Sequence, residues 1–207
     1  MEREMEGWVH RALERWPDVP ALFGWLALDR RGRWLIRGAP ITRPQIIDTI
    51  NRNYAGDGYG RWYFQNGPQR GYMRLEVAPF VLRVSADGAG LQTHTGLAVR
   101  RPTQAALDEE GSLIVVGEHG AGQLADHELD WALAHLAEDG HALDEARLAR
   151  ALARPSGGAS GLTLRIGATV LAVQRVDREQ LPARFGYVLD PQPREGERAV
   201  VGGDDGS

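Results

Sequence analysis

The chain has 207 residues and a formal net charge of −4, and its 43% apolar and 25% charged residues are ordinary for a globular protein. It contains no cysteine, and all 24 basic residues are arginine, which excludes disulfides, thiolate chemistry, Schiff-base lysines and a P-loop lysine. No apolar run reaches the roughly 18 residues of a membrane span, and the N-terminus lacks a secretory signal. We therefore expect a cytoplasmic protein with no membrane partner.

The charge is unevenly distributed along the chain. Residues 1–101 hold 15 arginines against 10 acidic residues, whereas residues 102–207 hold 9 arginines against 18 acidic residues. Such asymmetry can steer an anionic ligand toward one module, or let two modules or two copies of a homodimer dock. The acidic whole-chain pI of about 5.9 argues against a nucleic-acid polymer as partner.

The first half of the chain predicts an N-terminal helix within residues 1–19 and then a module over residues 20–101. Two short apolar strands flank the turn DRRG, and Thr42 and Gln45 form a candidate capping box for a helix that continues to about Tyr54. Two further hairpins follow. The module is predicted to have the order β-β-α-β-β-β-β.

The second half predicts a related module over residues 102–190 and a disordered tail over 191–207. ALDEEGSLIVVG (106–117) shares five of twelve positions with ALDRRGRWLIRG (27–38), and a helix follows each segment. An internal duplication is the simplest explanation of this repeat. The predicted fold class is therefore α+β, with two related modules, each an antiparallel sheet with a packed helix.

Three patterns invite an assignment to enzyme or metal chemistry. GAGQLA (120–125) matches a dinucleotide fingerprint, but no second parallel strand follows, so we expect a flexible loop before a helix capped by Asp126. The six histidines do not form a metal-binding motif, and the five serines do not form a nucleophile motif. The sequence predicts no catalytic residues, no metal site and no cofactor.

The aromatic hairpin YGRWYFQNGPQRGYMRLE (59–76) is the best candidate for a binding surface. Alternation places Arg61, Tyr63 and Gln65 on one face, and Trp62 and Phe64 on the face expected to be the core. Planar donors beside an aromatic ring suit a phosphate-bearing or heteroaromatic ligand. A stable hairpin with cross-strand aromatic and Arg–Glu pairs is the structural alternative.

Several strings together carry a resemblance to known families. GWLALDRRGRW, INRNYAGDGYGRWYFQNGPQRGYMRLE and LPARFGYVLDPQP resemble a proteobacterial family of uncharacterised cytosolic proteins with a domain of unknown function, over roughly Val19 to Pro193. LALDRRGRWLIRGAPI, the following helix and EVAPF are more distantly similar to a second uncharacterised bacterial family. That resemblance implies a duplicated α+β fold, a C-terminal module like a pleckstrin-homology domain, a nucleotide-like ligand between the modules and a signalling role.

These observations favour a non-enzymatic binding or sensory protein for a small anionic or nucleotide-like ligand, held where the arginine-rich module meets the acidic one. The residues expected to bind it share polar side chains near the second hairpin: Arg52, Asn53, Arg61, Gln65, Asn66, Gln69 and Arg70. One alternative is a protein-interaction module with an exposed apolar patch. Another is an enzyme that uses His94, His119 or Asp126 in a cleft between modules.

Overall fold

The computed structural model describes residues 19–202, so the predicted N-terminal helix lies outside the described residues. Two mixed sheets and a few helices make up the chain, which confirms the predicted α+β class. The chain divides into two compact units, one that runs to Val77 and resumes at Gly186, and one that comprises Ala78–Phe185. The second unit is thus inserted into the sequence of the first.

The part of the first unit that the structure describes contains a seven-stranded sheet and one helix. Its strands are β1 (Ala21–Leu28), β2 (Trp34–Ile36), β3 (Ala39–Pro40), β4 (Tyr54–Gly56), β5 (Trp62–Asn66), β6 (Gln69–Leu75) and β17 (Ala199–Val201), and its helix is α1 (Pro44–Arg52). The strand order is β3-β2-β1-β6-β5-β4, and β17 pairs with β1. The central pair β1·β6 and the pair β1·β17 are parallel, whereas the remaining pairs are antiparallel.

The second unit contains a ten-stranded sheet and three short helices. Its strands are β7 (Phe80–Val84), β8 (Leu91–Thr93), β9 (Ala98–Val99), β10 (Gln104–Leu107), β11 (Leu113–Gly117), β12 (Gly120–Leu124), β13 (Leu136–Glu138), β14 (His141–Ala142), β15 (Ala159–Ile166) and β16 (Thr169–Arg175). Its helices are α2 (Leu129–His135), α3 (Glu145–Leu152) and α4 (Leu181–Phe185). The strand order is β14-β13-β15-β16-β10-β11-β12-β7-β8-β9.

The two sheets share one strand arrangement, as expected of a duplication. The order β3-β2-β1-β6-β5-β4 corresponds strand for strand to β12-β11-β10-β16-β15-β13, and the central pair is parallel in both. The corresponding hairpins β5–β6 and β15–β16 each turn at a glycine with positive φ, 57° at Gly67 and 56° at Gly167. Glycine adopts this left-handed conformation without strain, and it is typical of the first turn position in two-residue hairpins. The parallel central pair had not been expected from local sequence patterns.

The boundary between the units differs from the predicted one, which placed residues 78–101 in the first module. In the structure β7 pairs in parallel with β12, and β8 and β9 extend the second sheet from β7. This pairing joins residues about 40 positions apart, which local patterns do not specify. The segment predicted as a flexible glycine loop is β12 itself, hydrogen-bonded antiparallel to β11, so it is not a dinucleotide-binding turn.

The start of helix α1 and the C-terminal segment also differ from the predictions. Helix α1 begins after Arg43 with Pro44 in its first turn and has no side-chain cap, so Thr42 does not serve as N-cap; proline is favoured there because its φ is already helical. In the segment predicted as a disordered tail, Ala199–Val201 forms β17, which pairs with Ala21–Phe23. No helix within residues 19–202 is long and apolar enough to cross a membrane.

The turn Asp-x-x-Gly after β1 and after β10 is built in the same way. Asp29 Oδ1 accepts from the Arg31 and Arg33 N–H groups at 3.0 and 2.8 Å, and Asp108 Oδ1 accepts from the corresponding N–H groups of Glu110 and Ser112 at 3.0 and 2.7 Å. The repeated sequence therefore encodes a repeated turn.

Replacing Asp29 and Asp108 tests how far the two turns contribute equally to stability. Asp108 is fully buried and Arg178 donates to its Oδ2 at 2.8 Å, whereas the Arg33 side chain bonded to Asp29 is half exposed. We expect Asp108→Ala to lower the free energy of unfolding by about 3 kcal/mol, because it removes two turn hydrogen bonds and leaves Arg178 without its buried partner. Asp29→Ala should cost less. Urea denaturation measures the free energy of unfolding of both variants. A larger loss in Asp29→Ala would contradict the greater importance of the buried Asp108–Arg178 contact.

Candidate ligand-binding cleft

The turn before β5 repeats the aspartate-based arrangement and sets up the site. Asp57 Oδ1 accepts from the Tyr59 and Arg61 N–H groups at 2.9 and 3.0 Å, and Gly60 has a φ of 76°. A carboxylate that accepts N–H groups two and four residues ahead closes the turn locally. Arg61 is thereby placed at the start of the strand with its side chain beside Asp57.

Arg61 is buried at 6% exposure and saturated with hydrogen bonds. Its Nε donates to Asp57 Oδ2 at 2.8 Å, and its Nη2 donates to the Tyr72 hydroxyl at 2.9 Å. Its Nη1 donates to Glu197 Oε2 at 2.7 Å and to the Gln192 carbonyl at 3.1 Å. A buried guanidinium is stable only when it is paired and hydrogen-bonded, so this network holds the turn, β6 and the C-terminal segment together.

The alternation predicted for β5 is confirmed, but the face expected to be solvated is the more buried one. Tyr63 lies opposite Ala55 and Tyr72 in the strand register. Tyr63 and Gln65 are buried, whereas Trp62 and Phe64 are only partly buried. The physical reason is that Phe23 stacks on Tyr72, with ring centroids 4.4 Å apart, and Ala199 of β17 packs on the same cluster.

Beside this cluster lies an open cleft of about 780 Å³ within the first unit, in the range of roughly 300–1,000 Å³ that is usual for small-molecule sites. Three groups of residues line it: the turn Gly56, Asp57, Gly58, Tyr59 and Arg61; the strand residues Tyr63, Arg70 and Tyr72; and the C-terminal residues Arg194, Glu195, Gly196 and Glu197. Charged groups of both signs and tyrosine rings therefore face one volume.

Besides Arg61, which lies 4.4 Å from the centroid of the Tyr72 ring, two further arginines lie on tyrosine rings in this cleft. The Arg70 guanidinium carbon is 4.5 Å from the centroid of the Tyr63 ring, and that of Arg194 is 3.5 Å from the centroid of the exposed Tyr59 ring. These distances are within the range of cation–π attraction. Within residues 19–202, neither guanidinium forms an ion pair, so both retain donors for an anion.

The cleft brings together only part of the predicted binding set. Arg61 and Arg70 line it, and Gln65 contributes indirectly, because its Oε1 accepts from Arg70 Nε at 3.1 Å. Gln69 donates to the Pro20 carbonyl at 3.1 Å, and Asn53 donates to the Thr49 carbonyl at 3.0 Å. The side-chain amides of Gln69 and Asn53 are therefore used in hydrogen bonds to backbone carbonyls.

Two predicted residues lie on the exposed surface and are not among the residues that line the cleft: Asn66 at the end of β5 and Arg52 at the end of α1. The reason is geometric, because the hairpin turn and the helix end fall outside the region enclosed by the turn before β5 and the C-terminal segment.

Sequence reasoning missed Asp57, Tyr59, Arg194 and Glu197. A signal for Asp57 was present, since DGYGR (57–61) repeats the Asp-x-x-Gly-Arg pattern of DRRGR (29–33). Tyr72 was recognised only as part of the hairpin. Arg194 and Glu197 lay in a segment predicted to be disordered, and nothing local connects them to Arg61, which lies more than 130 residues earlier.

Ionisation in the network follows from the burial and hydrogen bonds of its members. Partial burial opposes ionisation of Asp57, but N–H donors from Tyr59 and Arg61 and the Arg61 side chain outweigh it and lower the Asp57 pKa. The pKa of Glu197 is lowered in the same way by Arg61 and the Arg194 N–H. Burial raises the pKa of Tyr72 to about 12, although the Arg61 charge opposes this shift. Tyr72 therefore stays neutral and both carboxylates stay ionised near pH 7.

The residues of the enzyme hypothesis lie in the second unit. The His94 ring accepts from the Val81 N–H at 3.2 Å, the His119 ring contacts the Ala98 carbonyl at 3.0 Å, and Asp126 begins an exposed 3₁₀ turn. Within residues 19–202, His, Asp and Glu side chains do not gather in a group of three or more suited to a metal ion. Each of the two histidines thus has a backbone contact to account for its position.

The second unit does not repeat the chemistry of the cleft. Its matching hairpin turns at 166–169, as the first turns at 66–69. In that register the positions of Arg61, Tyr63, Arg70 and Tyr72 hold Gly161, Thr163, Val170 and Ala172. The arginine and tyrosine cluster is therefore a property of the first unit, added to a scaffold that both units share.

Comparison with known proteins identifies the family of the chain. A family model described as "Protein of unknown function (DUF2946)" matches residues 5–192. The chain belongs to this family. No curated protein matches it. The predicted membership of an uncharacterised family is thereby confirmed, and membership in the DUF2946 family assigns no activity.

Two solved structures resemble that of this DUF2946 family protein. A DUF1285 family protein from Silicibacter pomeroyi DSS-3 matches with a TM-score of 0.50 and 16% identity, over 87% of this chain and 93% of that chain. A DUF1285 family protein from Shewanella baltica OS155 matches with a TM-score of 0.38 and 16% identity, over 54% of this chain and 88% of that chain. At this identity the first similarity supports the fold alone.

Glycine at position 60 is required by the turn that places Arg61. A Cβ at this position would lie 2.6 Å from the Gly186 carbonyl oxygen, and the φ of Gly60 is 76°. We expect Gly60→Ala to lower the free energy of unfolding by about 2 kcal/mol or more, because both the backbone strain and the clash with another backbone must be relieved. Gly58→Ala is the matched control, since a Cβ at Gly58 meets nothing within 4 Å. Equal thermal stability of the two variants would contradict this role.

The carboxylates around Arg61 predict a dependence of stability on pH. Because the folded-state pKa values of Asp57 and Glu197 are lowered, their stabilisation is present above the ordinary carboxyl pKa of about 4. It is lost as pH falls through the lowered folded-state values. Urea unfolding between pH 7 and pH 3 should show this loss in the wild type. The loss should be smaller in Arg61→Leu, which removes the shared cation, and an unchanged pH profile in that variant would refute the assignment.

Proposed function

We propose that this protein is a non-enzymatic binding or sensory protein whose cleft in the first unit takes a small anionic, nucleotide-like ligand. The proposal is carried by one observation: Arg70 and Arg194, each lying on a tyrosine ring and neither in an ion pair within residues 19–202, line the same cleft. Guanidinium groups with available donors bind phosphate well.

The surroundings of the two arginines support a ligand with a flat ring as well as a charge. Tyr59 is exposed and Tyr63 lines the same volume, and aromatic rings and guanidinium planes both stack on heteroaromatic bases. Arg61 is satisfied by Asp57 and Glu197 and so acts as the frame of the cleft. In this proposal a phosphate meets Arg70 and Arg194, while the ring of the ligand rests on Tyr59.

The ligand-binding proposal is preferred to an enzyme because the pKa values of Tyr72, Asp57 and Glu197, which surround Arg61, are shifted away from neutral pH. The pKa of Tyr72 is raised to about 12 and those of Asp57 and Glu197 are lowered, whereas a general acid or base works best with a pKa near the operating pH. A sensory role then requires only that binding changes the population of conformations.

Titration calorimetry with AMP, adenosine and inorganic phosphate tests the proposal. We expect AMP to bind more tightly than either fragment, because it supplies both the anion and the ring. Arg70→Ala and Arg194→Ala should each weaken AMP binding by roughly 10- to 100-fold, the value of one charge-assisted contact. Arg52→Ala, at the exposed end of α1, is the matched control and should leave affinity unchanged.

Two results would count against this function. Equal weakening by Arg52→Ala would show that AMP responds to general positive charge and not to the cleft. Absence of binding by all three compounds to the folded wild type would favour the protein-interaction alternative.

A further inference from the structure

The C-terminal segment 192–202 forms one wall of the cleft, and several contacts attach it to the rest of the first unit. The Gln192 carbonyl accepts from Arg61, and Arg194 lies on the Tyr59 ring. Strand β17 adds three residues in parallel to Ala21–Phe23, and Glu197 pairs with Arg61. Val200 and Val201 of the same strand are 46% and 57% exposed, and Ala199 is the residue of the strand that packs on the aromatic cluster. The ion pair between Glu197 and Arg61 is thus one of several contacts that hold the segment.

The two carboxylates that share Arg61 are held differently. Asp57 lies in the turn next to Arg61 and accepts two backbone N–H groups of that turn as well as Arg61 Nε. Glu197 accepts from both terminal nitrogens of Arg61, at 2.7 and 3.2 Å, and from the Arg194 N–H at 3.0 Å. This two-pronged contact is the one that a phosphate or carboxylate of a ligand makes with arginine.

Glu197 is also the more replaceable of the two. Its side chain is 24% exposed, whereas that of Asp57 is 9% exposed. Burial and the nearby negative charge of Asp57 oppose ionisation of Glu197, although Arg61 and the Arg194 N–H outweigh both and lower its pKa. An anion that brings its own hydrogen-bond acceptors could therefore take the place of Glu197 while Asp57 keeps the guanidinium in position.

We propose that the terminal nitrogens of Arg61 form a phosphate subsite of the cleft, that Glu197 occupies this subsite in the free protein, and that a bound phosphomonoester displaces Glu197 and loosens the strand that follows it, β17 (Ala199–Val201), while Arg194 stays at the cleft. This inference rests on the proposed ligand-binding function and adds its regulation. The phosphate then contacts three arginines, Arg61, Arg70 and Arg194, and binding is reported as release of the C-terminal strand.

The test compares AMP affinity in two variants that make the same change of charge in the same cleft. Glu197→Gln removes the internal anion from Arg61, and we expect AMP to bind about tenfold more tightly, the value of one charge-assisted contact regained. Glu195→Gln removes a neighbouring negative charge that also lines the cleft. It should change affinity less than about threefold, because only a screened long-range repulsion of the anion is removed. Equal gains in the two variants would overturn the subsite.

A second measurement uses the wild type and does not depend on the folding of a variant. Hydrogen exchange of the amides in 199–202 should speed up when AMP is bound, because β17 loses the neighbouring contact between Glu197 and Arg61. Exchange that slows or stays constant at saturating AMP overturns the displacement of Glu197.

The outcomes separate this inference from the function on which it rests. If Arg70→Ala weakens AMP binding but Glu197→Gln and Glu195→Gln do not differ, the proposed function is supported and the subsite at Arg61 is refuted. If Glu197→Gln strengthens AMP binding and Arg70→Ala leaves it unchanged, the phosphate subsite at Arg61 is supported and the proposed contact with Arg70 is contradicted. Failure of AMP to bind the wild type and Glu197→Gln overturns both.

Discussion

The buried guanidinium of Arg61 is the constraint on which the first unit depends. A charge removed from water must be compensated by partners of opposite charge and by hydrogen bonds, and Arg61 finds them in the turn at Asp57, on the neighbouring strand at Tyr72 and in the C-terminal segment at Glu197. These partners come from three separate parts of the sequence. One side chain therefore ties the turn, β6 and the C-terminal segment to one another.

The cleft follows from this arrangement. The turn and the C-terminal segment are drawn together at Arg61, and the space they enclose is lined by tyrosines and by two arginines that are not needed for the frame. In the free protein the hydrogen bonds of Arg61 are saturated, whereas Arg70 and Arg194 keep donors available. The arginine that holds the cleft together in the free protein and the two that offer donors at once are thus different residues of the same type.

Within residues 19–202, the two units share a scaffold but differ in the side chains at the positions of the cleft. Both units use the same strand order and the same parallel central pair, so the scaffold is determined by apolar alternation and by two kinds of turn. The second unit has glycine, threonine, valine and alanine where the first has arginine and tyrosine. A scaffold that tolerates both sets can carry a site in one copy while the other copy stays structural.

The sequence by itself determined the α+β class, the repeated Asp-x-x-Gly turns, the alternation along β5 and the presence of a family relationship, because each depends on neighbours only a few residues apart. Local patterns also named Arg61 and Arg70. Only the tertiary structure decided that Arg61 is buried, that β7 joins the second sheet, and that Glu197 and Arg194 complete the cleft. These outcomes depend on contacts between residues that are 40 to more than 130 positions apart, and periodicity and turn chemistry do not specify them.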